Sequence, residues 1–111
     1  MSDTQQARHI SFAQAGDLLR LRLKHGSMAL EYYAPFDVDH QTPHTKDEIY
    51  IIMHGHGWFR HGAERVAFAE GDALFVPAGL DHKFEEFSKD FATWVIFYGT
   101  EGGEQDIPAP I

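Results

Sequence analysis

His44 and Glu48 stand four residues apart in the stretch Gln41-Thr42-Pro43-His44-Thr45-Lys46-Asp47-Glu48-Ile49-Tyr50-Ile51-Ile52-Met53-His54-Gly55, at the mouth of an apolar, β-rich run. Imidazole and carboxylate together are donors that a borderline or hard divalent cation accepts. A second stretch answers the first downstream: Gly71-Asp72-Ala73-Leu74-Phe75-Val76-Pro77-Ala78-Gly79-Leu80-Asp81-His82, an apolar run that ends in proline, glycine and another histidine. The rest of the chain reads as scaffold for bringing these two stretches together.

The scaffold is built from strands. Leu19, Leu21 and Leu23 alternate with Arg20, Arg22 and Lys24, the period of a strand with one wet face. His25-Gly26-Ser27 is a turn, Met28 to Phe36 reads as the returning strand, and Pro35 keeps its far end out of a central ladder. After the polar loop Asp37 to Pro43, Ile49 to Met53 has the β-branched and aromatic content of a short buried strand. The turn His54-Gly55-His56-Gly57 leads into a strand at Trp58 to Arg60, and His61-Gly62-Ala63 reverses the chain into Arg65 to Ala69. Glu70-Gly71-Asp72 turns again before a strand at Ala73 to Val76 and a loop at Pro77 to Asp81. Phe91 to Tyr98, apolar at almost every position, predicts a strand buried on both faces. Short strands with turn signals about every 8 to 12 residues, and no amphipathic helix of ordinary length, predict an all-β sandwich or barrel.

Size and charge narrow the classes. At 111 residues the chain is one domain, large enough to bury roughly 65% of the surface its unfolded form exposes. It contains no cysteine, which excludes disulfides, thiolate metal sites and cysteine nucleophiles. Seventeen acidic residues against nine Lys and Arg give a net charge of −8, a field that repels phosphate backbones and anionic lipid, so neither nucleic acid nor membrane is an expected partner. Met1 to Gly16 lacks a basic segment followed by an apolar one, and no stretch approaches the roughly 20 apolar residues of a membrane span. A cytoplasmic protein is expected.

The two stretches resemble the paired motifs of the cupins, small jelly-roll barrels. The second motif matches position by position: Gly71, five residues, Pro77, one residue, Gly79, two residues, His82; the asparagine that usually closes it is Glu86 here. The later part of the first motif matches as His44, three residues, Glu48, six residues, Gly55. The resemblance is close from Gln41 to Glu86, and it implies an all-β, single-domain cupin jelly-roll barrel over residues 15–100, with an N-terminal arm at 1–14 and a C-terminal tail at 101–111.

It also implies one divalent metal ion held by His44, Glu48 and His82, the two-histidine, one-carboxylate set of non-haem Fe(II) sites, which Mn, Ni, Co or Zn also fits. Parity agrees, because residues an even number apart on a strand share a face: His44 and Glu48 point inward with Tyr50, and His82 with Phe84. Tyr50 and Phe84 are therefore the expected substrate-binding residues. The family carries two histidines separated by one residue at the start of the first motif, and the first of these is Thr42 here, a poor divalent ligand. Gln41, through its amide oxygen and a bulge at Pro43, is the favoured fourth ligand; His40 and an open position or water are the alternatives.

His9, His25 and His61 read as exposed or hydrogen-bonded histidines, and His54 and His56 as part of a solvated turn at the far end of the strand from His44. Most of the aromatic residues read as core. Glu85-Glu86 and the acidic run from Glu101 read as solvated faces. The function implied is a metal-dependent oxidation of dioxygenase type on a small organic molecule, with Glu48 as catalytic proton acceptor. Alternatives are an isomerase or lyase using the metal as Lewis acid, or a non-catalytic small-molecule sensor or carrier; a purely structural dimerisation module suits the convergent polar set less well. Pairing through edge strands and the apolar ends predicts a homodimer.

Overall fold

The computed structural model describes Arg8 and residues 22–105, and among these there are strands, turns and loops but no helix. The strands are β1 (Arg22–His25), β2 (Met28–Tyr33), β3 (Asp47–His54), β4 (His56–His61), β5 (Glu64–Ala69), β6 (Ala73–Val76), β7 (His82–Glu85) and β8 (Ala92–Tyr98). The expected strands from Arg22 onward are thus present with shifted ends: β2 stops at Tyr33, short of Pro35, and β3 begins at Asp47. Leu19 and Leu21, the arm at 1–14 apart from Arg8, and Ile107 to Ile111 lie outside the described residues.

The strands form an antiparallel five-stranded sheet in the order β1-β2-β8-β3-β6 and a three-stranded sheet in the order β5-β4-β7. The all-β architecture expected from the motifs is present as these two sheets; no strand of one is paired with a strand of the other among the described residues, so the expected jelly-roll barrel is not closed by strand pairing there. Their apolar faces share one core, with Tyr50, Ile52, Val76 and Val95 from the larger sheet meeting Phe59, Phe68 and Phe84 from the smaller, and Phe91 beside them. Aromatic rings fill it at close range: Phe84 lies 4.7 Å from Phe91 and 4.9 Å from Tyr50, the latter nearly perpendicular at 87°. Offset and edge-to-face rings add about 0.5–1.5 kcal/mol per pair beyond their buried area.

Register explains which side chains reach the interior. On β3 the inward row is Glu48, Tyr50 and Ile52, opposite Phe97, Val95 and Thr93 of β8. The outward row is Ile49 and Ile51, opposite Ile96 and Trp94. Trp94 and Ile96 remain partly exposed while Thr93 and Val95 on the inward face are buried, so β8 is not buried on both faces as the apolar run led one to expect. Its outward residues are apolar because they cover one another, as Tyr32 and Trp94 do edge to face at 5.9 Å.

The predicted four-residue turn at His54 to Gly57 contracts to Gly55 alone, with β4 starting at His56. Gly55 has φ of 93°, and a Cβ there would lie 2.7 Å from the Cα of Phe91. Only glycine combines that dihedral with that approach.

Candidate metal centre

Backbone bonds bring the two motifs together. The N–H of Gly79 donates to the carbonyl of His44 at 2.7 Å, so the loop leading to His82 is tied to the first histidine. Asp47, buried beside Glu48, accepts from the N–H of Ala78 at 2.9 Å and of Glu104 at 2.7 Å. β3 then carries Glu48 inward and β7 opens with His82 on the facing sheet.

One donor atom from each of His44, Glu48 and His82 lies within 4.8 Å of the others. His82 Nε2 is 2.9 Å from Glu48 Oε1, and His44 Nε2 is 3.9 Å from Oε2. The Nδ1–H of His82 donates to the carbonyl of Leu80 at 2.9 Å, which leaves Nε2 facing the cluster. Burial works to lower the His82 pKa, but the Glu48 carboxylate and the Leu80 carbonyl outweigh it and hold the ring above its ordinary value. Glu48 is fully buried at 0% exposure, and neither of its oxygens accepts a hydrogen bond from the described residues. A buried carboxylate without hydrogen bonds is costly unless a cation compensates it. Two imidazole nitrogens converging on such a carboxylate fit a divalent ion, and His44, Glu48 and His82 are the group that could hold one.

Gln41 and Tyr50 complete the surroundings. The Tyr50 hydroxyl donates to Gln41 Oε1 at 2.9 Å and lies 2.9 Å from His82 Nε2, while Gln41 Oε1 is 3.3 Å from His44 Nε2. Burial, and then the charge of Glu48, push the Tyr50 pKa far above the usual phenol value, so the hydroxyl keeps its proton. Beyond His44 opens a cavity of about 500 Å³, bounded by Tyr33, Val95 and Phe97 on the sheet and by His40, Gln41 and Lys46 on the loop. His44 is both a member of the cluster and a wall of this cavity, its side chain 32% exposed.

The sequence-predicted residues separate by depth. His44, Glu48, His82, Gln41 and Tyr50 are brought together. Phe84 shares the inward face of His82 but lies in the apolar core beneath Tyr50, packed on Phe59, Phe68 and Phe91, and neither of the two expected substrate-binding residues, Tyr50 and Phe84, lines the cavity. His40 and Thr42 line the cavity and are exposed. His54 sits at the far end of β3, 3.2 Å from Glu70. Glu86 takes a left-handed φ of 49° and pairs with Arg65 at 2.9 Å.

Asp39, absent from the sequence reading, is 3% exposed and accepts hydrogen bonds from Tyr33 at 2.6 Å, from the backbone and side chain of Gln41 at 2.9 and 3.1 Å, and from the N–H of Phe84 at 2.8 Å. Its signal in the sequence is slight, an Asp two residues before a candidate ligand.

A small two-sheet β-protein with inward-facing histidines and a carboxylate at one end of its core is the class that fold and site define. The family profile described as a cupin domain matches residues 29–98, and the chain belongs to the cupins. It is 35% identical over 77 residues to an uncharacterized protein of Streptomyces coelicolor, covering 69% of this chain and 73% of that one. Among solved structures it is similar to a Cupin 2 conserved barrel domain protein from Salinispora arenicola, with 20% identity, a TM-score of 0.61 and coverage of 72% of this chain and 74% of the other. A cupin-2 domain containing protein from Shewanella frigidimarina superposes with a TM-score of 0.65 at 16% identity over 81% of this chain and 94% of the other.

Proposed function

We propose that this cupin is a metal-dependent enzyme acting on a small organic molecule, with a dioxygenase-type oxidation as the reaction its site suits best. The observation that carries the reading is Glu48, a fully buried carboxylate without hydrogen bonds, flanked by His44 and His82 where a cavity of about 500 Å³ ends. The two sheets packed on one core are read as the halves of a jelly-roll barrel, as the likeness to a conserved barrel domain protein supports.

His44, Glu48 and His82 would hold one divalent ion, and Gln41 would present its amide oxygen as a fourth donor. When bound, such an ion supplies Lewis acidity and, if it is iron or another redox-active metal, a place for dioxygen beside the substrate. The organic molecule is the reductant and dioxygen the oxidant. Val95 and Phe97 offer the substrate an apolar wall, and Tyr33, His40 and Lys46 offer polar groups that orient it. Glu48 accepts a proton from the substrate. Tyr50 keeps its own proton and directs it at Gln41 Oε1, which holds the fourth donor in place.

Two measurements test the reading. Metal analysis of protein purified without a metal-affinity tag is expected to give near one ion per chain, reduced strongly in Glu48→Ala and His82→Ala; a metal-free parent would sink the proposal. Oxygen uptake under Fe(II) loading with phenols, flavonoids, thiols and diketones then tests the chemistry. Turnover without oxygen uptake would indicate an isomerase or lyase, and tight ligand binding without turnover a carrier. A homodimer is part of the proposal, supported by Phe75, 57% exposed on the outward face opposite Ile49. A monomeric mass by light scattering at micromolar concentration would refute it.

A further inference from the structure

We propose that Asp39 is the positioning residue of the centre, fixing Gln41 so that its amide oxygen, and not its nitrogen, faces His44 and Tyr50. The inference rests on the metal-binding reading only for its consequence; the orientation itself is a property of the chain.

Four donors converge on the Asp39 carboxylate. Tyr33 Oη and the Gln41 N–H reach Oδ1 at 2.6 and 2.9 Å, and Gln41 Nε2 and the Phe84 N–H reach Oδ2 at 3.1 and 2.8 Å. An ionised carboxylate is acceptor-only, with about four lone-pair sites, so this environment suits an anion and no donor-bearing substitute. Because an amide nitrogen can only donate, its attachment to Asp39 turns Gln41 Oε1 the other way, to 3.3 Å from His44 Nε2 and 2.9 Å from the Tyr50 hydroxyl. Amide oxygen is a metal donor and protonated amide nitrogen is not, so the orientation decides whether Gln41 can serve.

The loop is fixed from its other side too. Lys83 Nζ donates to the carbonyls of Asp39 at 3.1 Å and Gln41 at 2.8 Å. Three consecutive residues of β7 thus act on one place: His82 faces the cluster, Lys83 holds the backbone around Gln41, and the N–H of Phe84 holds Asp39. Tyr33 ends β2 in the larger sheet and Phe84 belongs to the smaller, so Asp39 also bridges the two sheets, which no ladder joins among the described residues.

The test is cobalt(II) binding to the full chain, followed by visible absorption, in the parent, Asp39→Asn, Gln41→Ala and the double variant. Asp39→Asn is expected to bind cobalt about 10- to 100-fold more weakly, the usual consequence of losing a residue that orients a ligand. Its absorption bands are expected to move toward those of Gln41→Ala, with no further change in the double variant. A lowered melting temperature with parental bands and affinity would assign Asp39 a structural role and overturn the proposal. Should Asp39→Asn fail to fold, Lys83→Met takes its place: weaker binding that disappears as an effect in the Gln41→Ala background supports the proposal, and parental binding overturns it. A parent that binds no cobalt defeats the metal reading instead. In that event the orientation is read in metal-free protein from the Gln41 side-chain amide resonances, which move in Asp39→Asn or Lys83→Met if these residues hold the amide and stay in place if they do not.

Discussion

The Tyr50 hydroxyl meets His82 Nε2 at 2.9 Å, so a residue of the larger sheet and one of the smaller share a polar contact at the top of an otherwise apolar core. The same hydroxyl donates to Gln41 Oε1. Burial keeps it protonated, which makes it a fixed donor beside the candidate ligands.

Tyr50→Phe keeps the buried ring and removes only that donor. The fold is expected to survive with a loss of about 1 kcal/mol, the net worth of an ordinary hydrogen bond. Metal content is expected to stay near that of the parent, while the rate of oxygen uptake with a turned-over substrate falls by about 100-fold, the scale of a lost preorganised hydrogen-bond donor. Unchanged turnover would remove Tyr50 from the chemistry.

Glu48→Gln separates the cost of the site from its use. The parent buries a carboxylate without hydrogen bonds in metal-free form, and the variant removes the charge at nearly constant volume. At alkaline pH, where His82 is neutral and its 2.9 Å contact no longer compensates the carboxylate, metal-free Glu48→Gln is expected to melt at a higher temperature than the metal-free parent. Ion added at about 100 times its dissociation constant stabilises a binding protein by about 2.7 kcal/mol, and this upward shift is expected in the parent and not in the variant. Calorimetry with and without metal reads both effects. A variant less stable than the parent without metal would mean that Glu48 is compensated by the protein itself.

Much of this site was legible because parity and glycine spacing are local. His44, Glu48 and Tyr50 fall in one inward row, and the Gly79-Leu80-Asp81-His82 sequence places a histidine at the first position of a strand. Phe84 shows the limit of parity, since it gives the face of a strand but not the depth along it; two residues beyond His82 the inward row has already passed into the core. Asp39 was not legible for a different reason. Its partners Tyr33 and Phe84 are 6 and 45 residues away, and an Asp in the polar loop Asp37 to Pro43 carries no mark distinguishing a buried hub from a solvated side chain. The one-residue link at Gly55 was likewise hidden, because a cluster of histidines and glycines looks like a longer turn.

Gly55→Ala tests that link. The substitution places a methyl group 2.6 Å from Ser88 Oγ and 2.7 Å from the Phe91 Cα at a φ of 93°. The serine can rotate, but the backbone of Phe91 can yield only by moving the start of β8. A destabilisation of at least about 2 kcal/mol is expected from the combined strain and overpacking, read from the midpoint of urea unfolding. A change below about 0.5 kcal/mol would show that β3 and β4 can be joined through an ordinary residue.

Glu86→Asn runs in the opposite direction. Glu86 occupies the position where the second cupin motif usually ends in asparagine, and its φ of 49° is in the left-handed region. Asparagine tolerates that region better than other non-glycine residues because its short amide bonds locally to the backbone. The substitution surrenders the Arg65 contact at 2.9 Å, but Glu86 is 73% exposed there, and Arg65 keeps its second carboxylate partner, Glu85, at 3.1 Å. Removing one acid from a chain of net charge −8 also relieves self-repulsion. Relief of backbone strain is therefore expected to dominate, raising stability by about 0.5–1 kcal/mol and the melting temperature by a few degrees for a domain of this size. Glu86→Gly serves as the control that frees the dihedral without supplying an amide, and Glu86→Gln as the one that removes the charge and keeps the strain. If Glu86→Gln stabilises as much as Glu86→Asn, charge and not backbone conformation sets the preference at the end of the motif.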